Sequence, residues 1–223
     1  MQTMTNTTRR VESVRSLTES TFVVRFDRAG MEFEPGQYVS VGVAGDINMR
    51  EYSIYSPVDA DYLEILVKLV EGGHVSRALA RMEPGARLEV DGPFGFFLID
   101  DPARTTRRFL FVSTGTGISP FHCFAGSYPQ IDYTLLHGVR TLDERYEYSA
   151  YDPARVTTCV SREAVNAREG LFAGRVTDYL KAHPVAPETL CYLCGNCDMI
   201  YEAFDILKRH GVPPEQLFAE VYF

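Results

Sequence analysis

FLFVSTGTGISP, residues 109–120, joins a run of apolar strand to a glycine-rich turn and then to a proline placed to open a helix. Gly115 and Gly117, on either side of Thr116, carry no Cβ, so the backbone there can approach a bulky anion. The helix that follows supplies unpaired N–H groups and a partial positive charge at its start. Such a turn binds phosphate. Pro120 stands where the common dinucleotide fingerprint has its third glycine, so the same letters also describe a strand-to-helix turn with no ligand.

A strand that passes directly into a helix marks an α/β unit with a parallel sheet. Downstream the rhythm holds: YTLLHG, RVTTCV, LCYLCG and LFAEVYF alternate with the helical stretches RVTDYLKAH and CDMIYEAFDILKRHG. Upstream it does not. Up to about Gly92 the strands TFVVRFD, GQYVSVGV, REYSIYS, YLEILVKLV and RLEVDG are separated by turns, as in antiparallel β structure. One helical stretch interrupts them at residues 74–82, HVSRALARM, with Val75, Leu79 and Met82 at helical spacing. The predicted fold is a two-domain β plus α/β chain, an antiparallel β-barrel followed by a parallel-sheet nucleotide-binding domain. DDPARTTRR, residues 100–108, has no apolar periodicity and reads as the linker, which places the domains at 1–103 and 104–223.

With 45% apolar and 12% aromatic residues among 223, the chain buries a real core, which excludes a disordered or fibrous protein. Twenty-two basic against 30 acidic residues leave a net charge of −8, the wrong sign for a nucleic-acid surface. No apolar run approaches the roughly 20 residues of a membrane span, and MQTMTNTTRR lacks the apolar centre of a secretory signal, so the expected location is cytoplasmic. The five cysteines, an odd number clustered late in the chain, are expected to be free thiols.

Two further segments carry chemistry. Gly72 and Gly73 end the YLEILVKLV strand and lead into the helix that contains Ser76, a second phosphate-cradle pattern that an ordinary helix start would share. REYSIYS, residues 50–56, alternates so that Arg50, Tyr52, Ile54 and Ser56 share one face and Glu51, Ser53 and Tyr55 the other. An arginine suited to pyrophosphate, a tyrosine suited to a planar ring and a serine suited to a ring nitrogen therefore stand on one strand, although a plain barrel strand has the same pattern.

In this order the motifs resemble those of the ferredoxin–NADP reductase family, over nearly the whole chain. The family's flavin strand Arg-x-Tyr-Ser-x-x-Ser is similar to Arg50, Tyr52, Ser53 and Ser56, and its flavin pyrophosphate turn to Gly72, Gly73 and Ser76. The barrel exit resembles GPFG at residues 92–95, and the nicotinamide nucleotide turn looks like GTGISP, with Gly115, Thr116, Gly117 and Pro120. A later Cys-Gly motif followed by methionine resembles Cys194, Gly195 and Met199, and the ending EVYF is similar to the family's closing acid and aromatic at Glu220 and Tyr222.

The resemblance implies FAD in the first domain and NADP(H) in the second, with hydride passing between NADPH and FAD and single electrons passing to a ferredoxin or flavodoxin. It implies that Tyr52 covers one flavin face, that Tyr222 stacks on the other as a displaceable gate, and that Ser53 bonds the ring's N5 edge. Cys194 would line the nicotinamide pocket and Glu220 would handle protons. Phe223 departs from members that end in tyrosine, and either stacks itself or packs on the adenine end. Arg140, Arg162 and Arg175, with Ser161, would meet the 2′-phosphate of NADP, a task that suits the arginine fork. Arg9, Arg10, Arg15, Arg104, Arg107 and Arg108 are candidates for a partner's acidic surface, or simply solvated charges.

Other readings share this domain pair: an NAD(P)H-dependent reductase component of an oxygenase, a flavin reductase, or a flavoprotein subunit without turnover of its own. CYLCGNC, with Cys191, Cys194 and Cys197, looks like an iron–sulfur loop but lacks a fourth ligand nearby, and the five histidines show no metal-ligand spacing. No metal is expected.

Overall fold

A computed structural model describes residues 7–166 and 170–222; Phe223 lies outside the described residues. The chain divides into two compact units, one running up to Ile99 and including His122–Ser127, the other comprising Asp100–Phe121 and Tyr128 onward.

In the first unit the strands are β1 (Thr7–Ser16), β2 (Thr21–Asp27), β3 (Tyr38–Val43), β4 (Met49–Ser53), β5 (Tyr62–Lys68) and β6 (Arg87–Phe94), with α1 (His74–Ala80) between the last two. They form a six-stranded sheet in the order β4-β3-β6-β1-β2-β5 in which all printed pairings are antiparallel. Just past β4, Ile54 bridges Ile65 of β5, so the two edge strands meet and the sheet closes as a barrel. Alternation explains the core. Phe22, Val24 and Phe26 of β2 and Leu63, Ile65 and Val67 of β5 point inward onto Val39, Val41, Leu88 and Val90, and α1 adds Val75 and Leu79. On the other face of the same strands Glu64 is 5% exposed, and Arg25, its register partner, pairs with it at 2.8 Å. A buried carboxylate survives there because it is paired.

β1 is absent from the strand pattern of the sequence because TTRRVESVRS alternates poorly. Its place in the sheet makes it a strand: β2 pairs with one edge and β6 with the other, and an irregularity between Val11 and Ser13 shifts the alternation partway along.

The second unit contains β7 (Arg108–Thr114), α2 (Ser119–Ser127), β8 (Asp132–Val139), β9 (Val156–Val160), β10 (Leu171–Ala173), α3 (Val176–Ala182), β11 (Leu190–Gly195), α4 (Cys197–Arg209) and β12 (Leu217–Val221), although His122–Ser127 of α2 group with the barrel. Its six-stranded parallel sheet has the order β10-β9-β8-β7-β11-β12. One face, with Leu110, Val112, Leu136 and Leu193, packs under α3 and α4; the other is aromatic, with Phe111 stacked on Phe121 at 4.8 Å and on Tyr133 at 5.3 Å. From β7 the chain builds outward to β10 on one side and returns to β11 and β12 on the other. The order reverses between β7 and β11, and such reversals open a crevice at the carboxyl ends of the strands. β10 escaped the sequence reading because its three residues are too short to show a period. Among the described residues no helix is long and apolar enough to cross a membrane.

Leu79, with no exposed surface, plugs the barrel from α1. Leu79→Ala should lower the unfolding free energy by about 3 kcal/mol, read as a shift of the urea midpoint, because the cavity cannot collapse against closed strands.

Candidate flavin and dinucleotide sites

On the barrel, Arg50, Tyr52 and Ser53 stand opposite Val41, Val39 and Tyr38 of β3. Arg50 is exposed, its guanidinium donating to the Met49 carbonyl at 2.7 Å. Tyr52 is half-buried against the barrel core, and burial pushes its hydroxyl up to about 12, with Arg50 pulling the other way. The predicted two-faced alternation ends at Ser53: residues 53–56 are all buried as the chain leaves β4. Ser56 then serves the backbone, its hydroxyl accepting from the Glu64 N–H at 3.0 Å.

Between β5 and α1, Gly72 adopts φ +75° with open space around it. At Gly73 a Cβ would come within 2.9 Å of Ser76 Oγ. Ser76 is buried and its hydroxyl accepts the Val70 N–H at 3.2 Å, which closes the turn over the helix start. A second tie went unseen in the sequence. His74 Nε2 lies 2.5 Å from Asp46 Oδ2 and so holds the β3–β4 loop, four residues before Arg50, to the first residue of α1. The Asn48 backbone N–H and then His74 hold Asp46 down to about 2. Arg50 and the Gly72–Gly73 turn are thereby linked through one short loop.

In the second unit, register does the assembling. Thr158, His137, Ser113, Cys194 and Glu220 stand side by side across β9, β8, β7, β11 and β12. The candidate residues follow within one to three positions of their strands' ends: Arg140 after β8, Ser161 and Arg162 after β9, Arg175 after β10, Gly115–Gly117 after β7, and Tyr222 after β12. Pro120 is the second residue of α2. Residues scattered over 110 positions of sequence thus gather at one end of one sheet.

Close approach of β7 and β11 builds the floor of this crevice. A Cβ on Gly117 would fall 2.4 Å from the Cys194 carbonyl oxygen, and one on Gly195, at φ +126°, would fall 2.5 Å from Thr114 Oγ1. Thr114 Oγ1 accepts the Asn196 N–H at 2.9 Å, and Asn196 caps α4 by accepting from the Met199 N–H. Cys194 is fully buried; burial foremost, and Glu220 beside it, raise its thiol well above the ordinary range, opposed by a hydrogen bond from Tyr222. Three of the four predicted catalytic residues therefore meet, Tyr222 being fixed further by its N–H to the Gly195 carbonyl at 2.9 Å. Ser53, the fourth, belongs to the barrel.

Arg140, Arg162 and Arg175 are exposed, and their backbones are well held. The Arg140 N–H donates to Glu144 at 2.8 Å, the Arg162 N–H to the Arg140 carbonyl at 2.9 Å, and the Arg175 N–H to Asp178 at 3.1 Å. Ser161 differs from its expected part: its hydroxyl and its N–H both donate to the Val139 carbonyl at 3.0 Å. Of the arginines considered for a partner surface, Arg9 is buried, Arg107 bonds the Glu188 carbonyl and Gln216, and Arg108 pairs with Asp132, whereas Arg10, Arg15 and Arg104 are exposed.

A barrel with a glycine turn before a helix, followed in the chain by a parallel sheet with a strand-end crevice, suits a flavin- and dinucleotide-handling reductase. Residues 8–99 match the family model of the oxidoreductase FAD-binding domain. The chain is 25% identical over 240 residues to the reductase component of propane 2-monooxygenase from Gordonia sp. (strain TY-5), covering 96% of this chain and 67% of that protein. It is 25% identical to the electron transfer component of toluate 1,2-dioxygenase from Pseudomonas putida, covering 95% and 66%. The chain thus spans about two thirds of the length of these curated relatives. A ferredoxin NADP+ reductase from Neisseria gonorrhoeae, solved with bound FAD and NADP, superposes with a TM-score of 0.85 at 24% identity, covering 97% of this chain and 98% of that one. The barrel matches the oxidoreductase FAD-binding domain, the chain is related to reductase components of oxygenases, and its fold is shared with the ferredoxin NADP+ reductase.

All five cysteines are free, and Cys123, Cys159, Cys191 and Cys194 are buried, with burial pushing the first three up to about 12. Iodoacetamide at about pH 8 should label Cys197 alone in the native protein and all five after unfolding, counted by intact mass. Gly117→Ala should weaken dinucleotide binding at least about tenfold, measured by flavin difference spectra, because β7 and β11 must part to admit the methyl group.

Proposed function

We propose that this protein is a ferredoxin- or flavodoxin-linked NADPH reductase. The observation that carries the proposal is the gathering of the phosphate turn, Cys194, Glu220 and Tyr222 at the strand ends of one sheet, in a chain whose barrel is an FAD-binding domain. Bound FAD would supply the chemistry that divides a hydride's electron pair into two single-electron deliveries.

The chain's own part is to bind, orient and screen. Arg50 and the Gly72–Gly73 turn, with Ser76, hold the flavin's pyrophosphate, a fit supported by the open space at Gly72. Tyr52 offers its ring to one flavin face, and Ser53 donates to the flavin's ring edge. Tyr222 covers the other face and must yield to the nicotinamide, and Phe223 follows it as a second aromatic. Cys194 lines the nicotinamide position as a neutral thiol, which adds no charge where a cationic ring becomes neutral. Glu220, beside it, positions protons as the flavin cycles.

Gly115–Gly117 and Pro120 present the α2 start to the dinucleotide's pyrophosphate. Arg140, Arg162 and Arg175 meet the 2′-phosphate. They stand at the ends of three neighbouring strands, and the arginine fork stays charged at every working pH. Ser161 contributes by turning its hydroxyl away from the Val139 carbonyl. Exposed Arg10, Arg15 and Arg104 are candidates to steer an acidic protein partner.

A second reading, a reductase component delivering electrons to an oxygenase, is favoured by the names of the curated relatives. Steady-state kinetics with NADPH and NADH in parallel, followed by reduction of ferredoxins and flavodoxins, separates the two. Purified protein should be yellow and release FAD on denaturation; FMN or no flavin would defeat the assignment of Arg50 and the Gly72–Gly73 turn. Arg162→Ala should raise the KM for NADPH about tenfold to a hundredfold and leave NADH nearly unchanged, as expected for one lost charge-assisted contact. Removing Tyr222 and Phe223 should change NADP affinity and the flavin spectrum together.

A further inference from the structure

The strand-end row holds one ionisable group to which hydride transfer gives no part. His137, on β8, is 3% exposed and stands in register with Ser113 of β7. Its Nε2–H donates to the carbonyl oxygen of Gly115, the first residue of the phosphate turn, at 3.0 Å. A carbonyl only accepts, so this bond requires the proton on Nε2. Burial above all, with Arg145 acting in the same direction, pushes His137 down to about 4 against the opposing pull of Gly115 and Glu144, so the ring is neutral near neutral pH.

Peptide geometry gives this bond its consequence. In a planar trans peptide the carbonyl of one residue and the N–H of the next point in opposite directions. With the Gly115 carbonyl aimed at His137, the Thr116 N–H is turned away from it. Gly115 has φ +53° and open space where a Cβ would be, so that residue does not resist rotation of the 115–116 peptide, and Thr116 and the short 3-10 turn Gly115–Ile118 share the resistance with His137. A flipped peptide would offer a phosphate the negative end of its dipole. The next two positions are secured by other means: the Thr116 carbonyl accepts the Ser119 hydroxyl at 2.7 Å, and Gly117 lies against the Cys194 carbonyl.

We propose that His137 is a positioning residue for the dinucleotide: it locks the 115–116 peptide so that the turn presents N–H groups to the pyrophosphate. This rests on the reading of residues 115–117 as the dinucleotide's phosphate site. Because NADP and NAD share the pyrophosphate, the lock acts on both alike, unlike the arginines of the 2′-phosphate.

The test uses the flavin-loaded full chain and titrates NADP+ and NAD+ separately by flavin difference spectra. His137→Phe should weaken both by the same factor, about tenfold, as expected for one buried hydrogen bond and the population lost to the flipped peptide. His137→Gln, whose amide can still donate to Gly115, should recover most of the loss. Equal affinities in the wild type and His137→Phe, loss for NADP+ alone, or no rescue by His137→Gln would each overturn the proposal. Should His137→Phe fail to fold, nitrogen-15 spectra of the wild-type imidazole decide: the Nε2–H tautomer from about pH 6 to 8 supports the lock, and an imidazolium or the Nδ1–H tautomer refutes it. A wild type that binds neither dinucleotide would instead defeat the reading of the turn itself.

Discussion

The steric contact between β7 and β11 is the constraint on which the proposed dinucleotide site depends. With Gly117 lying where a methyl group would strike the Cys194 carbonyl, and Gly195 where one would strike Thr114, the two strand ends come together without a gap. That closeness brings the 115–117 turn and the Cys194 thiol into one crevice. Larger residues at either glycine would wedge the strands apart and separate the turn proposed to hold a phosphate from the thiol proposed to face a reacting ring. Hydride transfer is steep in distance and alignment, so a rigid floor matters more than any one polar contact.

Burial sets the electrostatic character of the crevice. Cys194 stays a thiol because it is fully buried beside Glu220, and His137 stays neutral because burial outweighs the groups that favour its charge. Arg140, Arg162 and Arg175 lie outside, at the exposed strand ends. Neutral Cys194 and His137 within and arginines at the edge suit the proposed ligand, which carries phosphates at one end and a ring that changes charge at the other. The barrel follows the same plan, with apolar strands inside and Arg50 exposed on the edge strand β4.

Much of this was legible from spacing. The antiparallel and parallel textures follow from period-two strands in one half and strand–helix alternation in the other, and α4 follows from CDMIYEAFDILKRHG because its apolar residues recur at helical steps. Gly72, Gly73, Gly115 and Gly117 were visible because glycine before a helix is a strong local signal. β1 was not, since Arg9, Arg10 and Glu12 hide its pattern and its strand character comes from neighbours on both sides. His137 was passed over because its partner, a backbone carbonyl 22 residues away, leaves no mark in the letters.

The amino-acid sequence by itself determined the order of the two folding textures, the turns able to admit phosphate and the supply of arginines, because these depend on residue type and on steps of two to four positions. Tertiary structure alone decided which residues meet. Parallel register set Thr158, His137, Ser113, Cys194 and Glu220 in one line, and strand order delivered the three arginines to the same edge. It also decided which polar groups remain available, engaging Ser56, Ser161 and Arg107 with backbone carbonyls or N–H groups. The physical reason is that hydrogen-bond partners and burial are long-range properties, fixed only when the sheet closes around them.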